Sequence, residues 1–353
     1  MDNLILKSKI KQLSKTQTRT EPIYDVIDGW IIEYPDIDKL ANTQMHTFWP
    51  FDEPVVENDV KDLRVNCTEA EKHGIITVLK LFTHYELAAG NDYWTGRFQR
   101  IFKRPEFQRI ATMFGAVEMN SHAPFYNKIN QVLFIDTPEF YSEYHNNPVL
   151  QSRMDTIEEI VSAKDDLVSI GGFTFIEGVI LYSSFAFLKH FQEQECGAKN
   201  LITNINRGIN MSVADENLHA LGGAAVFQLL LKERKLSEED LNLLKEILIE
   251  LAHICYEHEA AIVDQIFSEG SIVGITDSNM KDFIKHRINY CMNHLGFENI
   301  YDDSKLDGFI SSWFYKTISS INFHDFFSGS GSEYHIDWKR EQFGKVWEVN
   351  NEE

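Results

Sequence analysis

The sequence predicts an all-α protein, a bundle of long helices around one core. Three observations carry that expectation. Apolar residues recur at three- and four-residue spacing through most of the chain, as one buried face of a helix requires. No pair of alternating strands joined by a hairpin turn stands out. Four helix-length apolar stretches each hold lone carboxylates or imidazoles, and two of them carry a Glu followed by a His on the same face.

The bulk numbers fit a water-soluble domain. With 353 residues, 43% hydrophobic and 25% charged, the chain has ample material for a buried core. A formal charge of −21 argues against a nucleic-acid surface, which needs clustered Lys and Arg to meet phosphates. The one basic stretch, residues 7–19, is rich in Thr, Ser and Gln and reads as a solvated arm. Cys67, Cys196, Cys255 and Cys291 are far apart with no CxxC pair, so free buried thiols in a reducing compartment are expected. The N-terminus lacks a signal-peptide layout. Residues 169–188 approach the ~20 apolar residues of a membrane span, but Glu177 lies inside them and His190, Gln192 and Glu193 follow at once. A buried bundle helix, no membrane and a cytoplasmic location are the expectations.

The elements follow in order. Residues 1–40 form an N-terminal arm, 41–325 one all-α domain and 326–353 a mobile tail. Residues 68–97 open Thr-Glu-Ala-Glu, a capping start, and run as a helix with Ile75, Leu79 and Phe82 as its stripe. Pro105 opens the next, toward Asn130, since its missing N–H suits a first turn. Residues 138–161 make a more polar helix, and 165–192 a long apolar one. Residues 202–233 follow, and Ser237-Glu238-Glu239-Asp240 caps a helix to about Phe267. Shorter helices are expected at 277–294 and 305–317. The spacer Gly329-Ser330-Gly331-Ser332 then leads into a tail with Tyr334, Trp338, Phe343 and Trp347.

Ser212, Asp215, Glu216 and His219 are spaced i, i+3, i+4, i+7 and form one polar stripe. The opposite positions, Val213, Leu218, Leu221 and Ala225, are apolar too, so this helix reads as buried all round. Buried carboxylates must be paired, protonated or metal-bound. Glu118 and His122 repeat the pattern, while Glu86 and Glu177 stand alone in apolar stretches. Two Glu/His helices with two single-Glu helices are the ligand set of a dinuclear site in a four-helix bundle. Four carboxylates, two imidazoles and no thiolate suit iron or manganese. His253, Glu257, His258 and Glu259 sit where polar residues cover more of their helix and read as a solvated face.

With these residues in place, the chain resembles the small, radical-generating subunit of class I ribonucleotide reductase, from about Phe48 to His219 and more weakly in the tail. Phe48-Trp49-Pro50 before Asp52-Glu53, Lys80 six residues before Glu86, Pro105-Glu106 thirteen before Glu118, Tyr126 four after His122, and Asp215-Glu216-x-x-His219 carry the likeness. The resemblance implies a ferritin-like bundle with dinuclear iron, or manganese, on Glu86, Glu118, His122, Glu177, Glu216 and His219. It implies that dioxygen oxidises Tyr126 to a radical. It further implies transfer through His122, Asp215, Trp49 and Tyr334 to a large catalytic subunit, and a homodimer.

Three departures stand out. Three residues, not two, separate Glu118 from His122, next to Pro124, so a π-bulge between 118 and 124 is expected. The linker from Glu118 to Glu177 is short, and Ser212 replaces a bulky apolar residue near Tyr126. The rival readings are another di-iron carboxylate protein of this fold, either an oxidase or an iron-storage bundle, and a metal-free scaffold with structural acids. Tyr126, Trp49 and the tail favour radical generation.

Overall fold

The computed structural model describes residues 3–197 and 199–316, and every regular element among them is helical. The main helices are α1 (Asn3–Leu13), α2 (Pro35–Thr47), α3 (Glu69–Leu87), α4 (Pro105–Val117), α5 (Ala123–Leu133), α6 (Pro148–Val161), α7 (Asp166–Gly178), α8 (Tyr182–Lys189), α9 (Thr203–Arg234), α10 (Glu238–Ile266), α11 (Asp277–His294) and α12 (Phe309–Phe314). Local chemistry sets the starts. Thr68 and Glu71 form the capping box of α3, with Thr68 N donating to Glu71 Oε2 at 2.8 Å. Ser237 caps α10 ahead of three acidic residues.

Helix α9 packs along α7, α3 lies against α5, and α10 covers α3 and α7 from outside, while α2 closes over α4. The bundle of α3, α4–α5, α7 and α9 is the ferritin-like core expected from the sequence. The apolar run that could pass for a membrane span, Asp166–Gln192, is buried inside this bundle except for half-buried Gln192 at its end.

Several boundaries differ from the sequence reading. The long helix expected over 165–192 is broken between Gly178 and Tyr182, where Leu181 takes a left-handed φ of 76°. The Gly178 carbonyl is met by Arg287 Nε at 2.8 Å instead of by a helical amide, so α11 clamps the break. The helix expected over 138–161 restarts at Pro148, with Asn147 as its cap. Residues 7–19 are not a solvated arm: α1 buries Leu6 and Leu13 against α10, and Ile23 is buried further on. Tyr334 and the tail anchors lie outside the described residues.

Glu259 corrects another expectation. His253 and Glu257 are exposed, but Glu259 is fully buried, bound to Arg153 Nη2 at 2.8 Å and to the Ser183 hydroxyl at 2.6 Å. The side chain lies on the inner face of α10, which polar neighbours in sequence disguised. Removing one partner of a buried pair strands the other charge. Glu259→Ala should therefore lower stability by about 3–5 kcal/mol, read from the denaturant midpoint, and an unchanged midpoint would contradict the pairing.

Candidate metal centre

Glycines bring the first two ligand helices together. A Cβ on Gly90 would lie 3.0 Å from the Cβ of Glu118, and one on Gly115 would lie 2.6 Å from Thr95 Cγ2. Both are bare, so the wide-turn helical segment Ala88–Phe98 that continues α3 can lie directly on α4. Glu86 and Glu118 then face one another.

Between α4 and α5 the helix widens into a π turn over Glu118–His122, the bulge that the extra residue and Pro124 led us to expect. Asn120 Nδ2 donates to the Ala116 carbonyl at 2.8 Å, satisfying one acceptor at the wide turn. The turn leaves Glu118 and His122 fully buried on one face, with His122 Nδ1 2.8 Å from Glu118 Oε2.

The six residues converge as two overlapping groups. Glu86, Glu118, His122 and Glu216 form one; Glu118, Glu177, Glu216 and His219 form the other. Within each group the ligand atoms lie within 4.8 Å of one another. Glu118 and Glu216 belong to both, as carboxylates bridging two ions would. Both imidazoles point Nδ1 inward: that of His122 is 3.3 Å from Glu216 Oε1 and 3.6 Å from Glu86 Oε2, and that of His219 is 2.6 Å from Glu118 Oε1. Their outer nitrogens are held by other residues. His122 Nε2 lies 3.1 Å from Asp215 Oδ2, and His219 Nε2 lies 3.1 Å from Gln44 Oε1. Such outer partners fix the ring and free the inner nitrogen for a metal.

The electrostatics point the same way. Burial, reinforced by Glu118 and Glu216, pushes the Glu86 carboxyl well above its usual range. Burial and repulsion from Glu216 do the same to Glu177. Burial opposes charge on the imidazoles, yet the carboxylates around them win: His219 rises to about 9 and His122 well above its usual value. Burial also works against Glu118, but His122 and His219 hold it below the usual range. Four buried carboxylates cannot stay ionised without cations. Two divalent ions would cancel their charge and displace these protons. Both oxygens of Glu86, Glu118 and Glu216, one of Glu177 and the inner nitrogens of both histidines make no hydrogen bond. The donor set fits two metals.

Tyr126 lies one turn beyond His122, fully buried, with Phe82 edge-on at 4.5 Å between ring centroids. Burial and then Glu86 raise its pKa well above the tyrosine range, while the Ser212 hydroxyl works against them. On the opposite side of His122, Trp49 Nε1 donates to Asp215 Oδ2 at 2.8 Å. Two members escaped the sequence reading. Trp94 donates its indole N–H to Glu177 at 2.6 Å, and Gln44 donates to Asp215 at 2.8 Å while accepting from His219. A signal for Gln44 existed, because Ile37, Leu40, Ala41 and Gln44 form a buried i, i+3, i+4, i+7 stripe behind Pro35.

Known proteins resemble this chain. The family model described as ribonucleotide reductase, small chain, matches residues 28–307. A probable ribonucleoside-diphosphate reductase small subunit of Invertebrate iridescent virus 3 is 26% identical over 324 residues, covering 86% of this chain and 82% of that protein. The ribonucleoside-diphosphate reductase small subunit of Dictyostelium discoideum is 22% identical over 335 residues, 92% of each. The fold matches the dimanganese(II)-NrdF structure from Streptococcus sanguinis with a TM-score of 0.70 at 20% identity, over 84% of this chain and 99% of that one.

Proposed function

Because the chain belongs to the ribonucleotide reductase small-chain family, and so is a subunit of an oxidoreductase, we propose that it generates and exports a tyrosyl radical from a dinuclear iron centre. The observation that carries this reading is the pair of ligand groups sharing Glu118 and Glu216, with Tyr126 buried beside them. Manganese takes the same oxygen and nitrogen donors and is the second metal to test. Metal ions held by Glu86, Glu118, His122, Glu177, Glu216 and His219 would supply the oxidising power of dioxygen next to a phenol.

The chain's own residues do the rest. Tyr126 gives up one electron and the proton on its Oη. Phe82, Phe125 and Phe185, all fully buried, keep water and reductants from the resulting radical. Trp49, Asp215 and His122 form one hydrogen-bonded series leading outward from the site. Along it an electron returns from a large catalytic subunit, with Tyr334 in the tail as the carrier between the two proteins. Nucleotide reduction happens on that partner, because no phosphate-cradling glycine loop accompanies the metal helices. The working form is a cytoplasmic homodimer, consistent with four buried free cysteines.

The test is an electron paramagnetic resonance spectrum after adding Fe(II) and dioxygen to the purified chain. A tyrosyl signal with two irons per chain is expected; a silent, metal-free protein would overturn the reading. Truncation after Ser332 should keep metals and radical but abolish large-subunit binding and turnover. Tyr334→Phe should bind normally and still fail to turn over. Full activity of the truncated chain would remove the tail from the route.

A further inference from the structure

Away from the metal helices, the basic stretch 7–19 returns in a different role. Its last residue, Arg19, lines an open cleft of about 570 Å³ together with Arg97, Lys164 and the hydroxyl residues Ser14, Thr18 and Ser162. None of the lining residues carries a carboxylate. Beneath them lies Asp166, 1% exposed, which accepts from Arg19 Nε at 2.8 Å and Nη2 at 3.0 Å, from Arg97 Nη2 at 2.8 Å and from the Tyr24 hydroxyl at 3.0 Å. One buried carboxylate thus holds two guanidinium groups side by side.

The charges do not balance. Arg19, Arg97 and Lys164 bring three positive charges against the negative charges of Asp166 and of Glu21 beside Tyr24, while the adjacent Asp165 is matched separately by Arg234 at 2.7 Å. Lys164 makes no ion pair among the described residues. A surplus positive charge therefore collects in one cleft of a chain whose net charge is −21. Like charges are not gathered this way without a counter-charge, and forked guanidiniums match phosphate oxygens in geometry.

We infer that this cleft binds a polyphosphate group, borne by a nucleotide or free. Arg19 and Arg97 present their unused N–H groups, Lys164 adds a mobile charge at the rim, and the three hydroxyls accept or donate around the phosphate oxygens. The position has reach. Asp166 opens α7, which carries Glu177, and Arg97 stands three residues beyond Trp94, which holds Glu177. The inference does not rest on the radical reading, since the cleft shares no residue with the metal groups.

Titration calorimetry on the full-length protein tests it, with inorganic triphosphate, ATP and AMP as probes. Saturable binding of triphosphate and ATP, both much tighter than AMP, is expected. Lys164→Glu should weaken it by at least about tenfold, the loss of one charge-assisted contact. Lys39→Glu, the same charge change on exposed α2, should leave binding alone. ATP binding without triphosphate binding would assign the site to nucleotides and still support the inference. No saturable binding of any probe overturns it, as does equal weakening by Lys164→Glu and Lys39→Glu. The Lys164 side chain is exposed, so the variant keeps its fold, which an unchanged circular dichroism melt verifies.

Discussion

Tyr126→Phe should retain both metals and its fold, show no tyrosyl signal after exposure to Fe(II) and dioxygen, and lose nucleotide reduction with the large subunit completely. Only one oxygen is removed, and the ring keeps its packing against Phe82 and Phe125. Stability should change little, because that oxygen is buried without a well-formed hydrogen bond. Phenylalanine, however, has no proton to lose and is much harder to oxidise. Metal analysis, paramagnetic resonance and a coupled reduction assay separate these outcomes. A persisting radical would move attention to Tyr182, whose ring lies 3.8 Å from the Arg287 guanidinium.

The second large effect concerns the shared carboxylates. Glu118→Ala or Glu216→Ala should lose both metals, since each residue belongs to both groups, whereas Glu86→Ala or Glu177→Ala should lose at least one. Metal content per chain decides the matter, and undiminished loading in the shared-residue variants would refute the arrangement. Thermal melts add an independent reading. Any ligand that binds only the folded state raises stability, by about 2.7 kcal/mol at a hundredfold excess over Kd. That gain should vanish in the shared-residue variants. Their metal-free forms should melt below the metal-free parent, because Glu118 and Glu216 pair with His122 and His219 in the empty bundle and their removal strands buried imidazoles.

Much of this centre is legible in the amino-acid sequence. Glu86, Glu118, Glu177 and Glu216 interrupt apolar helix-length runs, and burial makes such residues costly unless something compensates them. The π turn can be read too, from one surplus residue beside Pro124. Other features depend on contacts that sequence does not display. The break after Gly178 is set by Arg287, more than a hundred residues later. Glu259 looks solvated in sequence because its partner, Arg153, sits on another helix. The boundary between arm and domain at residue 40 cuts through helix α2, so the stripe from Ile37 to Gln44 goes unread although it follows ordinary helical spacing. Trp94 was hidden in the wide-turn segment Ala88–Phe98, where the usual period does not hold.

The π turn also bears on how this chain tolerates changes of length. Ordinarily one added codon inside a helix rotates every later side chain by about 100° and would swing His122 and Tyr126 off the site. Here the surplus is absorbed within a single loop of backbone, and everything downstream keeps its phase. Half-buried Met119 and exposed Asn120 are the positions that carry it. Loss of either codon would tighten the turn to regular helix and place the glutamate and histidine three apart, as in the Glu216/His219 pair. Gene lengths differing by one triplet at this point are thus interchangeable spellings of one centre.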